Sequence, residues 1–525
     1  MADPLPPSIF NDVVGPVMRG PSSSHSAASV RIARMARDLC GGTPDAVRFD
    51  FDTEGSLATT HESQGSDIGL FGGLLGWGAD DERLGRSKEF LDAAGVGVEI
   101  HCARLDDPHP NTYRLTLRRG DAEHRMVALS TGGGMIEVVE IDGARVALHG
   151  DSAVTLVWTL GDASAALAAL GELADAGDAA FDRADAAGDL VVVQGAEALP
   201  DEVTDTLPGA ARVRRLAPVL PVLSRRDLTV PFLHAGELGE FGDLRSEPLS
   251  DFALQYECAR GGIHEVEVLA EMAKILEVVR GGVKRGLAGT SYDDRILPRQ
   301  SHRFAEAMEH GTLLDGGLLN RAMLYVSALM EVKSSMGVFV AAPTAGSCGT
   351  FPGTTLAAAE TRGASEDQLL RAMLAGGLIG VFTQTRSSFA AEVGGCQAET
   401  GAGAAMAAAA LVELAGGKAD RALSAASHAF QNVLGLVCDP VANRVEAPCL
   451  GRNLAGASNA ITSANMALAG YDHLIPLDEV LDAHREVSER MARELRCTAL
   501  GGLSITPTSK AIEARMCGGG GCGSC

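Results

Sequence analysis

The chain is short of basic residues: 44 lysines and arginines stand against 68 aspartates and glutamates, a formal net charge of −24. Nucleic acid and anionic membrane surfaces both require basic patches, so neither is expected as a partner. The acidic surface mainly confers solubility, and a small zwitterionic ligand would have to be held by local groups. Long apolar runs are missing as well. No stretch reaches about 18 uninterrupted apolar residues, and no N-terminal segment joins a basic region to an apolar run of signal-peptide length. The expected location is therefore cytoplasmic. No repeat with a period of about 20–50 residues is evident, which argues against a solenoid. Eleven cysteines in 525 residues are too sparse for a secreted disulfide scaffold, and in a reducing compartment metal-binding or catalytic roles gain weight.

What is present fits a large globular protein. Its length leaves room for roughly two or three domains with substantial cores. Hydrophobic content is 46% with 21% charged residues, and 63 glycines suggest closely packed helices with loops approaching a buried site. Residues 1–150 read as mixed α/β: "SAASVRIARMARDL" has helical spacing with Ser24 or Ser26 available as N-cap, while "YRLTLRRG", "HRMVALS" and "MIEVVEIDG" read as strands. Residues 151–222 contain a small βαβ pattern, and the Pro-punctuated stretch that follows reads as a linker over 223–245. From 246 to 515 the pattern is almost wholly helical, with "AAMAAAALVELAGG" suited to a central buried helix, and 516–525 form a flexible Cys/Gly tail. The expected fold class is thus α+β and multidomain. Cys40, Cys102 and Cys258 fall in helix- or strand-like runs and read as buried thiols.

Three cysteines stand out: Cys396 in "EVGGCQAETGAGAAM", Cys438 in "GLVCDPV" and Cys449 in "EAPCLGRN". Each sits in a Gly- or Pro-marked loop beside a small-residue helical run. Three converging thiolates can hold an iron–sulfur cluster and leave one iron without a protein ligand, a Lewis acid able to do chemistry. Spacing alone leaves open the alternative of small buried hydrophobes. These motifs, together with "GPVMRGPSSSHSAASVRIARMARDL" and "VAAPTAGSCGTFPGTTLA", closely resemble the iron–sulfur-dependent L-serine dehydratases. Residues of about 8–145 resemble the family's β part and about 245–515 its α part, two polypeptides in many relatives and fused here.

The resemblance implies a [4Fe–4S] cluster on Cys396, Cys438 and Cys449, a small-molecule amino-acid substrate, a homodimer, and dehydration of L-serine to pyruvate and ammonia. It also implies an ACT-like amino-acid-sensing module in the βαβ region, for which a simple spacer domain is the alternative. The "GPSSSHS" signature puts Ser22, Ser23, Ser24 and His25 on the substrate side, with His25 able to orient a group or transfer a proton. Ser347, in the loop before "TTLAAAE", is a further substrate-side candidate, and neighbouring Cys348 reads as loop packing. In "GSLATTHESQGSDIG", Gly65 and Asp67 match the family stretch and Ser66 replaces threonine. Gln64 takes the place of the family's histidine; glutamine cannot act as acid or base, so His61 becomes a candidate for proton chemistry. In some relatives a C-terminal cysteine occupies the open iron; here Cys525 is the natural candidate, with Cys522 second and Cys517 also in the tail. A disordered tail is the alternative.

Further departures are Lys333 in "EVKSSMG", the segment "TSYDDRILPRQSHR", and Cys497 where an acidic residue is expected. They keep open the same β-elimination from threonine, cysteine or another β-substituted amino acid, and a non-catalytic amino-acid or iron–sulfur sensor. A pyridoxal-phosphate enzyme is disfavoured, because "CGGGGCG" does not lie between a strand and a helix where it could cradle a phosphate.

Overall fold

The computed structural model describes residues 6–224, 228–293 and 295–517. The expected strands form. β2 (Ala46–Asp52), β3 (Gly97–Ala103), β4 (Thr112–Arg119), β5 (Ala122–Gly132), β6 (Met135–Ile141) and β7 (Ala144–Leu148) make a six-stranded sheet in the order β3-β2-β4-β5-β6-β7. It is antiparallel except where β2 pairs with β3. Alternation along these strands sends Phe49, Phe51, Tyr113, Leu115, Leu117 and Met126 to one face, where they meet Ile32, Met35, Ala36 and Leu39 of the helix Ala28–Leu39. Cys40 is a buried thiol as expected, but Cys258 is only half-buried and Cys102 is exposed, the latter because it lies on edge strand β3.

The small middle unit is larger than the βαβ read from the sequence. β8 (Ala153–Thr159), the helix Ser164–Ala176, β9 (Arg183–Ala187), β10 (Leu190–Gly195), the short helix Asp201–Thr204 and β11 (Ala210–Leu216) follow a βαββαβ order, with antiparallel strands arranged β11-β8-β10-β9. Its sheet is buried on both sides. Val157, Val191 and Val193 face the unit's own helices, while Val154, Leu156, Trp158 and Val192 join the core of the N-terminal sheet. That two-sided burial explains why "AVTLVWTL" reads as a continuous apolar run.

The C-terminal region is helical around Ala402–Leu414, which is buried along nearly its whole length. The helices Thr350–Arg362, Glu366–Arg386, Ala419–Gln431 and Cys449–Leu468 surround it. Two boundaries differ from expectation. Ile9, Phe10, Val13 and Val14 belong to this helical core and not to the N-terminal domain, and Val222, from the end of the middle unit, joins it with Phe232, Ala235 and Leu238 of the stretch expected as a linker; residues 225–227 of that stretch lie outside the described residues. The physical reason is a groove of glycines on Glu366–Arg386: an added Cβ would lie 2.7 Å from Ile9 Cγ2 at Gly377 and 2.0 Å from Val13 Cγ1 at Gly380. The segment is also anchored by polar contacts. Ser8 Oγ and the Ile9 amide donate to the buried Glu257 carboxylate at 2.5 and 2.8 Å. Asn11 exchanges two hydrogen bonds with the Val222 backbone at 2.7 and 2.9 Å. Immediately after it, β1 (Val17–Met18) pairs with β12 (Phe339–Val340), so the first residues of the chain tie the two halves together.

Two stability predictions follow from this anchoring. Gly380→Ala should lose about 1–3 kcal/mol by overpacking, more than the ~1 kcal/mol alanine adds in helix propensity. Gly281→Ala, on an exposed helical position with nothing within 4 Å of the new Cβ, should instead gain about 0.5–1 kcal/mol; urea denaturation of the two variants reads the difference. Burial raises the Glu257 carboxyl from 4.5 to about 7, so the folded state holds a proton that the unfolded chain releases first. Its stabilising contribution is full below pH 4.5 and is lost as pH rises through about 7. Glu257→Gln should flatten the decline across that window by up to ~1.4 kcal/mol per pH unit; equal slopes in the two proteins would refute it.

Candidate active site

Cys396 follows Gly395, whose φ of +71° lets the chain turn before the single π-turn Gln397–Gly401. Cys449 opens the helix Cys449–Leu468. Cys438 lies in extended backbone: its amide donates to Leu495 O at 2.8 Å, and its carbonyl accepts from the Cys497 amide at 3.0 Å. All four cysteines are buried. Cys396, Cys438 and Cys497 share one pocket with Ala391, and Cys449 lies close enough to feel the charge of Cys396. Ligand atoms of Cys396, Glu399 and Cys438 fall within 4.8 Å of one another.

The electrostatics suit a bound cation. Contacts with the Cys396 and Cys497 thiols, then burial, push the Cys438 thiol up; burial, then Cys396, does the same to Cys449. Neutral thiols are poor ligands, and a metal reverses this by stabilising the thiolates. Positive charge is already supplied at the rim. The Arg452 guanidinium donates to Cys396 Sγ at 3.2 Å, Val437 O at 2.8 Å and Asp439 Oδ1 at 2.5 Å. Burial pulls the Arg452 pKa down, but Cys396 and Asp439 outweigh it and hold it above its ordinary value. Lys333 is fully buried, donates to Val445 O, and opposes the upward push that burial exerts on Cys449 and Glu399. The thiol set therefore fits an iron–sulfur group. Cys449, outside the tight group of donor atoms, is better reached by a multi-iron cluster than by a single ion.

Across the domain boundary lies the "GPSSSHS" turn. Its hydroxyls do not cap the helix: no side chain caps the π-turn Ser23–Ala27 or the helix after it. Ser26 Oγ donates to Gln64 O at 3.1 Å instead, and the Ala345 amide donates to Ser23 Oγ at 3.2 Å, joining this turn to the Thr344–Cys348 loop. His25 is fully buried, with Nε2 at 2.8 Å from Thr60 Oγ1 and Nδ1 at 3.0 Å from Ser22 Oγ and 3.4 Å from Glu392 Oε1. Thr60 has one hydroxyl proton and gives it to Ser56 O at 2.7 Å, so His25 Nε2–H donates to Thr60 and Nδ1 is the acceptor. Burial, with His61 nearby, lowers the His25 pKa to about 3, so the ring is neutral. Burial raises Glu392 to about 7, with Glu399 adding to the shift. Asn111 lies against Glu392 and, as a hydrogen-bond donor, opposes its upward shift; neither Glu392 Oε2 nor the Asn111 side-chain amide makes a hydrogen bond of full geometry. Polar atoms left this way at such depth mark a place for a ligand.

The other candidates divide. His61 Nδ1 pairs with Asp67 Oδ1 at 2.8 Å; burial lowers its pKa, but the Asp67 contact and charge, with Glu62, hold it above the ordinary value. Ser66 is committed to Tyr113 Oη at 2.9 Å. Gly65, at φ +87°, admits Ser26 Oγ 2.4 Å from where a Cβ would stand. Gln64 Nε2 donates to Cys497 Sγ at 3.3 Å and Asn443 Oδ1 at 3.2 Å. Ser347 bonds Thr344 Oγ1 at 3.1 Å, and Thr344 donates to Glu399 Oε1 at 2.6 Å, so this loop faces the thiol centre. Ser24 is buried, and its carbonyl accepts from Tyr113 Oη at 3.5 Å. Cys348 stays out of the thiol group, its Sγ 3.6 Å from Met330 Sδ. Cys522 and Cys525 lie outside the described residues, and Cys517 closes the last described helix, Pro507–Cys517.

Sequence reading missed Glu392, Glu399, Asn111, Arg452 and Asn453. Glu392 and Glu399 flank Cys396 inside the quoted motif, and Arg452 and Asn453 lie one turn after Cys449. Asn453 holds the centre together by donating to Gly346 O and Cys449 O at 2.7 and 2.8 Å and accepting from Thr350. Asn111 carries no local signal.

The family described as serine dehydratase alpha chain matches residues 189–504. The probable L-serine dehydratase alpha chain of Bacillus subtilis is 37% identical over 288 residues, 55% of this chain and 96% of that relative. The L-serine dehydratase alpha chain of Peptoniphilus asaccharolyticus is 38% identical over 280 residues, 53% and 96% respectively. A probable L-serine dehydratase beta chain of Bacillus subtilis is 38% identical over 150 residues, 29% of this chain and 67% of the relative. No helix among the described residues is long and apolar enough to cross a membrane.

Anaerobic reconstitution with iron and sulfide tests the ligand set. Cys396→Ala, Cys438→Ala and Cys449→Ala are each expected to lose most of the sulfur-to-iron absorption, while Cys348→Ala retains it. Retention in any of the first three would remove that residue from the set.

Proposed function

The chain belongs to the iron–sulfur L-serine dehydratase family, its β-like and α-like parts joined in one polypeptide, and we propose that it eliminates water from L-serine to give pyruvate and ammonia. The observation that carries this reading is a buried carboxylate oxygen without a well-formed hydrogen bond, Glu392 Oε2, on a residue whose charge reaches the buried Cys497 thiol. Elimination needs three things at once: a fixed substrate carboxylate, a base at Cα and help for a poor leaving group. A [4Fe–4S] cluster on Cys396, Cys438 and Cys449 supplies the last as a Lewis acid for the hydroxyl.

The chain's own residues supply the rest. Asn111, whose buried side-chain amide lies against Glu392 with no well-formed hydrogen bond of its own, is suited to the substrate carboxylate. Glu392 is the base: Oε2 takes the α-proton, while Oε1 lies 3.4 Å from Nδ1 of His25, whose neutral ring adds no positive charge that would weaken the base. His25 is thereby a positioning residue, too weakly basic at a pKa of about 3 to keep the proton itself. The Cα–H electron pair becomes the Cα–Cβ double bond as the Cβ–O bond breaks, and the oxygen leaves as water with the proton that Glu392 has taken, which returns the base to its ionised form. The 2-aminoacrylate formed tautomerises to the imine and is hydrolysed. The βαββαβ strand order supports reading the middle unit as ACT-like. The relatives' names favour serine over threonine or cysteine as substrate.

Keto-acid release from L-serine by the anaerobically reconstituted protein tests the reaction, with Cys438→Ala expected to abolish it. A cluster-loaded protein that leaves serine untouched would overturn the substrate assignment. Glu392→Gln should lower kcat by about 10²–10⁴-fold. In the wild type, activity should rise with pH through about 7 as Glu392 ionises, and an unchanged acid limb in Glu392→Gln would exclude it as the base.

A further inference from the structure

Cys497 is not needed by the three-cysteine site, yet the structure brings it there. Its amide bonds Cys438 O at 3.0 Å, its side chain shares the pocket of Cys396 and Cys438, and Gln64 Nε2 donates to its sulfur at 3.3 Å. The loop is built to deliver it. Cys497 has φ +59°, a left-handed conformation unusual for a residue with a side chain. Past it, the Leu503 amide donates to Asp439 Oδ2 at 2.8 Å, and Asp439 in turn holds Arg452. Gly502, φ +59°, lies so close to Asp439 that a Cβ would meet Oδ2 at 2.4 Å. The same guanidinium thus braces Cys396 directly and the Cys497 loop through Asp439.

We infer that Cys497 is a fourth protein ligand, binding the iron that Cys396, Cys438 and Cys449 leave open. This rests on the iron–sulfur reading above. Binding replaces the S–H bond by an S–Fe bond and releases the proton to solvent, with no change of oxidation state. Gln64 stabilises the bound thiolate by donating to its sulfur at 3.3 Å. Cys497 must leave that iron before a substrate hydroxyl reaches it, so it competes with substrate at the open position.

The test is spectroscopic. Full-length wild type, Cys497→Ala, Cys497→Ser and a Cys517→Ser/Cys522→Ser/Cys525→Ser variant are reconstituted anaerobically and treated with ferricyanide. EPR and Mössbauer spectra then follow conversion of four-iron to three-iron clusters. Cys497→Ala should convert at least about tenfold faster than wild type, Cys497→Ser should fall between them, and the tail variant should match wild type. Should Cys497→Ala be insoluble, Cys497→Ser decides alone. Wild-type rates in both Cys497 variants, or lability confined to the tail variant, overturn the assignment while leaving the three-cysteine cluster standing. A wild type that assembles no cluster removes the reading beneath it as well.

Discussion

Burying several thiols together with carboxylates is the constraint on which the rest of the structure turns. In a medium of low dielectric these groups cannot all ionise unless positive charge is placed among them. Arg452 meets part of that need and, through three separate acceptors, also fixes where the loops carrying Cys396, Cys438 and Asp439 lie. Lys333, held to the backbone of Val445, adds a second positive charge that reaches Cys449 and Glu399. The remaining deficit is what a cationic iron–sulfur group would fill. The thiols are therefore both the reason the loops converge and the reason they would be uncomfortable without a cofactor.

That centre belongs to one half of the chain, while His25 belongs to the other. Their alignment depends on contacts far from the chemistry: the N-terminal segment inserted along Gly377 and Gly380, the β1–β12 pairing, and the Asn443 side-chain amide, which donates to Thr59 O at 2.8 Å and Ser63 Oγ at 2.9 Å. A shift of either half would separate Glu392 from His25. Fusion of the two parts in one polypeptide makes this alignment intramolecular, so it no longer depends on subunit concentration.

Much of this was legible locally. Helical periodicity and strand alternation announced the N-terminal sheet and the helical region, and the Gly- and Pro-marked loops around Cys396, Cys438 and Cys449 pointed to a site. Glu392 and Arg452 sat within the same motifs without declaring a role, because the role lies in what each meets: His25 for the one, Asp439 and Cys396 for the other. The segment at Ile9–Val14 was read with the wrong domain, since a short apolar stretch does not say which groove receives it. The helix start at Ser24–Ser26 misled in a similar way, because hydroxyls suited to capping were drawn to partners distant in sequence.

The sequence by itself determined the family, the two unlike halves and the three motif cysteines, because these are properties of residue type and order. Tertiary structure alone decided that Cys497 shares a pocket with Cys438, that Glu392 keeps an oxygen without a well-formed hydrogen bond beside a neutral His25, and that Gln64 points at a sulfur. Each of these is a relation between segments far apart in the chain. Their effects, on charge, proton affinity and ligand supply, arise only when folding removes water from between them.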